Sequence, residues 1–174
     1  NLNSTIGGFS FGGDTPQYFD EHISKSVPLY NQGHDIITKL SSFFLEENST
    51  FYDLGCSTGT LIKKIDAYNP SLKLSIIGID LQKKMILRAK KKNLKNYNKI
   101  NFKCLDISKI KFKKSDLITS YYTIQFLKPK YRQVLFNKVY KSLNWGGAFI
   151  FFEKVRAPDA RFQDIISQIY QEFK

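Results

Sequence analysis

The chain is short of the residues that build metal centres, disulfide frameworks and membrane spans. Its 174 residues include two Cys, one Met and one Trp. Cys56 and Cys104 show no metal-ligand spacing, and His22 and His34 form no HxxxH or HExxH frame, so no zinc site is written here. A disulfide is not expected either. The strand pattern puts the two Cys about two inter-strand spacings apart, roughly 10 Å, beyond the ~7 Å that a bridge spans. Two free thiols in a reducing cytoplasm are the expectation. Long apolar runs are missing too. The longest, residues 148–152, falls far below the ~18 residues of a membrane span, and no basic start followed by an apolar run opens the chain. A cytoplasmic protein without a membrane partner is expected.

Arginine is scarce as well: four Arg stand against 23 Lys in a chain whose formal charge is +12. Such an excess suggests nucleic acid, yet Lys lacks the planar fork with which Arg reads bases and phosphates. Thirteen of the basic residues fall within residues 81–114, where Asp106 is the only acid. A solvated helix face beside a charged sheet edge is the favoured reading, and an anionic partner surface the alternative.

What is present describes one folded domain. Apolar residues make up 42% and charged residues 24%, near the globular average, and the length suits about one domain. The chain opens on Asn1 rather than Met, and Lys174 follows an apolar-periodic segment without a stop signal, so a piece of a longer protein is expected.

Residues 1–14, with Gly7-Gly8 and Gly12-Gly13, read as a flexible arm. Residues 15–47 read as a helical cap: a short helix begins at Thr15-Pro16, and a second one over residues 29–45 places Ile36, Ile37, Leu40, Phe43 and Phe44 on one stripe. Residues 48–174 then alternate. Strands are predicted at residues 51–54, 72–80, 100–105, 116–120 and 148–152. The helices between them carry Leu61, Ile62 and Ile65; Met85, Ile86 and Ala89; then Val134, Leu135, Val139 and Leu143. Asn144-Trp145-Gly146-Gly147 reads as a turn, and a last helix from Pro158-Asp159 carries Phe162, Ile165, Ile166 and Ile169. Alternating strands and helices define an α/β fold, a doubly wound parallel sheet.

Ligands of such sheets sit outside the carboxyl ends of the strands. There the first strand runs into Gly55-Cys56-Ser57-Thr58-Gly59, where glycine lets backbone N–H groups approach a ligand; an ordinary tight turn is the competing reading. The second strand ends in Asp80, placed to accept ribose hydroxyls; Asp106 follows the third and suits an adenine amine; Tyr121 follows the fourth. Together these stops indicate a nucleoside. A pyrophosphate calls for GxGxxG, but Ser57 stands at the second glycine position, and Asp53 lies two residues before the first. That carboxylate repels phosphate and suits an ammonium and a sulfonium. S-adenosyl-L-methionine (SAM) is therefore the cofactor indicated.

Tyr52-Asp53-Leu54-Gly55-Cys56-Ser57-x-Gly59 resembles motif I of the class I SAM-dependent methyltransferases, in the form seen in the carboxy-S-adenosylmethionine synthase family. The resemblance continues through Phe19-Asp20-Glu21, Ser26-Val27-Pro28-x-Tyr30, Ile79-Asp80, Asp106-Ile107, Thr123-x-Gln125-Phe126-Leu127-x-Pro129, Leu143-Asn144-x-Gly146-Gly147-Ala148 and Glu153-Lys154. It implies a Rossmann-like fold with strand order 3-2-1-4-5. It also implies that Tyr30 meets the methionine end of SAM or carboxy-SAM, Gly55, Cys56 and Ser57 wrap it, Asp80 and Leu81 border the ribose, Asp106 and Ile107 hold adenine, and Tyr121 completes the pocket. Two positions depart from the synthase pattern, which has Asn where Leu81 and Tyr121 stand. Members of the class usually add two strands beyond the fifth, so further chain or a partner subunit, as in a homodimer, is expected to cover the apolar fifth strand.

Three functions compete. Methyl transfer to a small-molecule acceptor leads. Formation of carboxy-SAM from SAM and prephenate, linked to tRNA wobble-uridine modification, is second, and a non-catalytic RNA-binding module third. No residue is forced into the role of general base. Tyr121, Tyr122, Gln125 and Glu153 lie near the expected mouth.

Overall fold

The computed structural model describes residues 15–93 and 95–174; the predicted Gly-rich arm, residues 1–14, lies outside the described residues. Five strands, β1 (Thr50–Leu54), β2 (Ser75–Asp80), β3 (Lys99–Cys104), β4 (Ser115–Tyr121) and β5 (Leu143–Phe152), form one parallel sheet in the order 3-2-1-4-5. Helices α1 (Thr15–Ser26) and α2 (Tyr30–Ser41) precede the sheet. Helices α3 (Thr60–Tyr68), α4 (Lys83–Lys92) and α5 (Pro129–Ser142) connect its strands, and α6 (Ala160–Phe173) follows. Strand order reverses between β1 and β4, which places the switch-point crevice above Leu54 and Ser120, partners in the parallel register.

Alternation along the strands divides the core into two layers. Phe51, Ile76 and Leu117 pack with Ile37, Ile62 and Ile65 on one face, while Tyr52, Leu54, Ile77, Ile79 and Ile118 pack with Leu135 and Val139 on the other. Complete burial of each such Leu or Ile stabilises the fold by about 1.5–3 kcal/mol. Lys99 and Lys103 lie on β3, the edge opposite β5, where charge discourages edge-to-edge pairing. Among the described residues, no helix is long and apolar enough to cross a membrane. Cys56 is buried and Cys104 exposed, both as free thiols.

Three expectations need correction. The stripe of α2 is displaced: the helix buries Gly33, His34, Ile37, Thr38 and Ser41, whereas Ile36 and Leu40 are exposed. The polar members of that face satisfy themselves locally, since Thr38 Oγ1 donates to the His34 carbonyl at 2.8 Å and Ser41 Oγ to the Thr38 carbonyl at 2.7 Å. Val134 is exposed on α5, and Leu143 opens β5 rather than closing the helix. Asn144-Trp145-Gly146-Gly147 therefore runs within β5, and a register shift opposite Ser115 and Leu117, with Gly146 at φ 80°, absorbs the bend that the sequence reads as a turn.

Candidate cofactor site

The carboxyl ends of β1, β2 and β4 open into a cavity of about 1250 Å³ bounded by α1 on one side and α6 on the other. Its floor begins with the turn after β1. Gly55 (φ 78°), Ser57 (φ 48°) and Gly59 (φ 74°) all take left-handed backbone, so Ser57 adopts the conformation that a glycine would supply. A Cβ on Gly55 would overlap the Thr123 side chain, which explains the bare position. Asp80 closes the turn: its Oδ2 accepts the Ser57 N–H at 2.9 Å and its Oδ1 accepts the Gln82 N–H at 2.8 Å. Burial raises the Asp80 carboxyl above the ordinary range, and those two N–H groups partly offset it.

Asp53, buried beneath the turn, accepts from Thr119 Oγ1 at 2.8 Å. Its carboxyl is pushed up to about 7 by burial, which the Thr119 hydrogen bond partly offsets and the Asp80 charge reinforces. Such a group ionises most readily beside a cation. Cys56 is also pushed up, by burial first and then by the charges of Asp53 and Asp80, which leaves a neutral thiol rather than a nucleophile. Asp106 accepts the Ser108 N–H at 2.8 Å, and the side-chain and backbone bonds of Ser108 hold its carboxyl low.

An aromatic corner completes the floor. Tyr121 Oη donates to the Tyr30 carbonyl at 2.8 Å, pinning the start of α2 to the end of β4. His34 packs against both rings, with centroids 4.7 Å from Tyr30 and 4.6 Å from Tyr121. Its Nδ1 has no hydrogen-bond partner, and burial depresses the ring to about 4, so the imidazole is neutral. Burial keeps Tyr30 and Tyr121 as neutral phenols.

Of the residues singled out from sequence, Tyr30, Asp53, Gly55, Cys56, Ser57, Asp80, Leu81, Asp106, Ile107 and Tyr121 line this one cavity. Gly59 does not. It stands behind the turn, where a Cβ would press on Asn93 and Phe102, so its role is to start α3 and admit close packing. Tyr122, Gln125 and Glu153 reach the cavity too. Glu153 has a structural task as well: its carboxylate accepts from the N–H groups of Thr123, Ile124 and Gln125 at 2.6–3.1 Å and so fixes the loop after β4.

The sequence does not disclose two features. His34 sits in the aromatic corner without any motif to mark it. The Asp20 carboxylate accepts from Thr58, Thr60 and Lys92 at 2.7–2.8 Å, fastening α1 to the turn. Burial opposes ionisation of Asp20, yet those three partners together hold its carboxyl below the ordinary range. The Asp20-Glu21 pair was visible as a motif, but its partners lie 38 to 72 residues away. Among the described residues, no group of His, Cys, Asp and Glu could hold a metal ion.

Fold and cavity together define a doubly wound parallel sheet with a ligand-sized pocket at its switch point. The methyltransferase domain family matches residues 51–147. The carboxy-S-adenosyl-L-methionine synthase of Campylobacter lari is 33% identical over 166 residues, covering 95% of this chain and 70% of the relative. The enzyme of the same name from Staphylococcus epidermidis is 36% identical over 160 residues, covering 92% and 69%. A crystal structure of a protein from Methanococcus maripaludis matches with a TM-score of 0.66 at 22% identity, covering 98% of this chain and 75% of that one, a likeness of fold. The chain belongs to the class I SAM-dependent methyltransferases, transferases that use SAM.

Proposed function

We propose that the cavity binds SAM. In this reading the methionine end lies at Tyr30, Asp53, Gly55, Cys56, Ser57 and Tyr121, the ribose at Asp80 and Leu81, and the adenine at Asp106 and Ile107. The donor set suits that molecule. Two carboxyls, buried Asp53 and half-buried Asp80, await cationic and hydroxyl partners, and among the described residues that line the cavity Lys154 is the one Lys or Arg, which makes a poor phosphate cradle. SAM supplies a sulfonium that makes its methyl group electrophilic. The chain's task is to align an acceptor with that methyl and exclude water.

The reaction favoured here is methyl transfer to a small molecule. The observation that carries it is the aromatic corner of Tyr30, Tyr121 and Tyr122 beside the Asp53 carboxyl, where an added carboxylate calls for a cation and Lys154 is the one Lys or Arg among the described lining residues. The cavity exceeds the ~300–1,000 Å³ typical of a single small ligand, which leaves space for an acceptor beneath α6.

The names of the curated relatives favour a second reading, carboxy-SAM formation. Incubation with SAM and prephenate, followed by mass spectrometry of the nucleoside, separates the two. Methyl transfer predicts no product heavier than SAM by one carbon dioxide, and label from methyl-labelled SAM appearing in an acceptor from a metabolite extract. Recovery of the heavier nucleoside with no labelled acceptor establishes the second reading instead.

A further inference from the structure

Three tyrosines at the end of β4 and the start of α2 form three sides of a box. The Tyr30 and Tyr122 rings are nearly parallel, 19° apart in plane, with centroids 6.5 Å apart. Tyr121 stands edge-on to both, at 5.0 Å and 68° from Tyr30 and at 4.9 Å and 72° from Tyr122. All three line the cavity alongside Asp53.

The backbone is strained to build it. Tyr122 lies at φ 52° and Leu29, immediately before Tyr30, at φ 56°, a left-handed conformation that bulky side chains rarely adopt. Strain of this kind costs about 1–3 kcal/mol per residue and gathers at ligand sites. Gly33 belongs to the same device, because a Cβ there would overlap Tyr121 Oη; the absence of a side chain on α2 admits the ring that closes the box.

A ring face carries negative charge density and attracts a cation lying within ~6 Å of its centroid. We propose that Tyr30, Tyr121 and Tyr122 receive the sulfonium of SAM as a cation, so that this site selects its cofactor by charge and prefers SAM to the neutral thioether S-adenosylhomocysteine. This rests on the SAM reading above and assigns Tyr122 and Tyr121 a specificity role in it. Asp20 and Asp53 both bear on the Tyr30 phenol; Asp20 is paired with Lys92, so Asp53 is the acid left to reinforce the preference.

Isothermal titration of the full chain with three ligands tests the proposal: SAM, S-adenosylhomocysteine, and the analogue in which a protonated amine replaces the sulfonium. The expected result is that SAM and the amine analogue bind tighter than the thioether by ~2- to 30-fold. Tyr122→Leu collapses that ratio toward one. Tyr121→Asn does the same and provides a second measurement if Tyr122→Leu fails to fold. Equal or tighter binding of the thioether by the wild-type chain overturns charge selection while leaving the SAM reading standing, and so does a ratio unchanged in either folded variant. Failure of all three ligands to bind overturns both.

Discussion

Helices α3 and α6 carry the same kind of apolar stripe, and the fold uses the two in opposite ways. On α3, Leu61, Ile62 and Ile65 are each 3% exposed or less, pressed against β1 and β2. On α6, Phe162, Ile165, Ile166 and Ile169 remain 44–61% exposed, and no residue of the helix is buried. The helix is tied down by the Tyr170 hydroxyl, which donates to the Ser26 carbonyl at 2.8 Å, and Ile166, Ile169, Tyr170 and Phe173 form one wall of the cavity. An apolar period thus defines a face without defining what lies opposite it. For α3 the opposite surface is the sheet; for α6 it is the cavity.

The comparison breaks if the two stripes respond alike to truncation. Ile62→Ala or Ile65→Ala should lower the unfolding free energy by about 2–5 kcal/mol, because each leaves a cavity in a closed core. Ile166→Ala on α6 should cost less than about 1 kcal/mol, in line with partly exposed sites. Denaturant unfolding measures both. Equal losses would show that the α6 face is buried in solution and that α6 is core rather than cavity wall.

Floor and roof of the cavity should also divide the binding energy. Asp80 sits on the floor, held by two N–H groups, and Asp80→Asn should weaken SAM binding by ~10- to 100-fold, the range expected for losing a charge-assisted hydrogen bond. Ile166→Ala, on the roof, should leave SAM affinity within about threefold of wild type by titration, since it borders the space assigned to the acceptor. A large SAM defect from the roof variant would place the cofactor under α6 instead.

How much of this was legible in the sequence follows the same division. The sheet was readable because strands buried on both faces, such as residues 76–79, leave continuous apolar runs, and because Asp80 and Tyr121 each close a strand. Local chemistry sufficed to mark the turn there: Gly55 and Ser57 take left-handed backbone, and Asp80 accepts the Ser57 N–H. Sequence and structure part where distant partners decide. Ile36 and Leu40 look like core, yet α2 turns Gly33 and His34 inward because Tyr121, on β4, demands the space. Nothing near residue 33 foretells a tyrosine that follows it by 88 positions. Asp20 was equally opaque, since its role depends on Thr58, Thr60 and Lys92. Gly146 read as a turn because glycine pairs usually make one, whereas pairing with β4 carries the strand through it.

Two glycines extend the contrast between the packed and open halves. Gly55 and Gly146 share a left-handed backbone, at φ 78° and φ 80°, so alanine at either should cost about 1–2 kcal/mol in strain. Only Gly55 also has a neighbour in the way, Thr123, while nothing lies within 4 Å of a Cβ at Gly146. Thermal unfolding should therefore rank Gly55→Ala as the more damaging, with loss of SAM affinity, and Gly146→Ala as milder, with SAM affinity kept. The reverse order would mean that the turn after β1 can relax and does not shape the floor.

The smallest effect expected is a pH dependence that belongs to the floor alone. Asp53 is pushed up to about 7, mainly by burial, whereas an unfolded carboxyl titrates near ~3.9. Between those values the folded chain holds a proton that the unfolded chain has released, so the contribution of Asp53 to stability is fully present below the unfolded pKa and declines as pH rises through about 7. A bound cation reverses the trend by favouring the ionised carboxyl. The increase in Tm produced by saturating SAM should therefore be larger at about pH 7.5 than at about pH 6. Asp53→Asn should flatten the difference, and Ile166→Ala should leave it intact. A thermal-shift series in which the SAM increment is the same at both pH values, or falls toward pH 7.5, would show that Asp53 does not face the cationic end of the cofactor, and the charge-selecting corner would then rest on its three tyrosines alone.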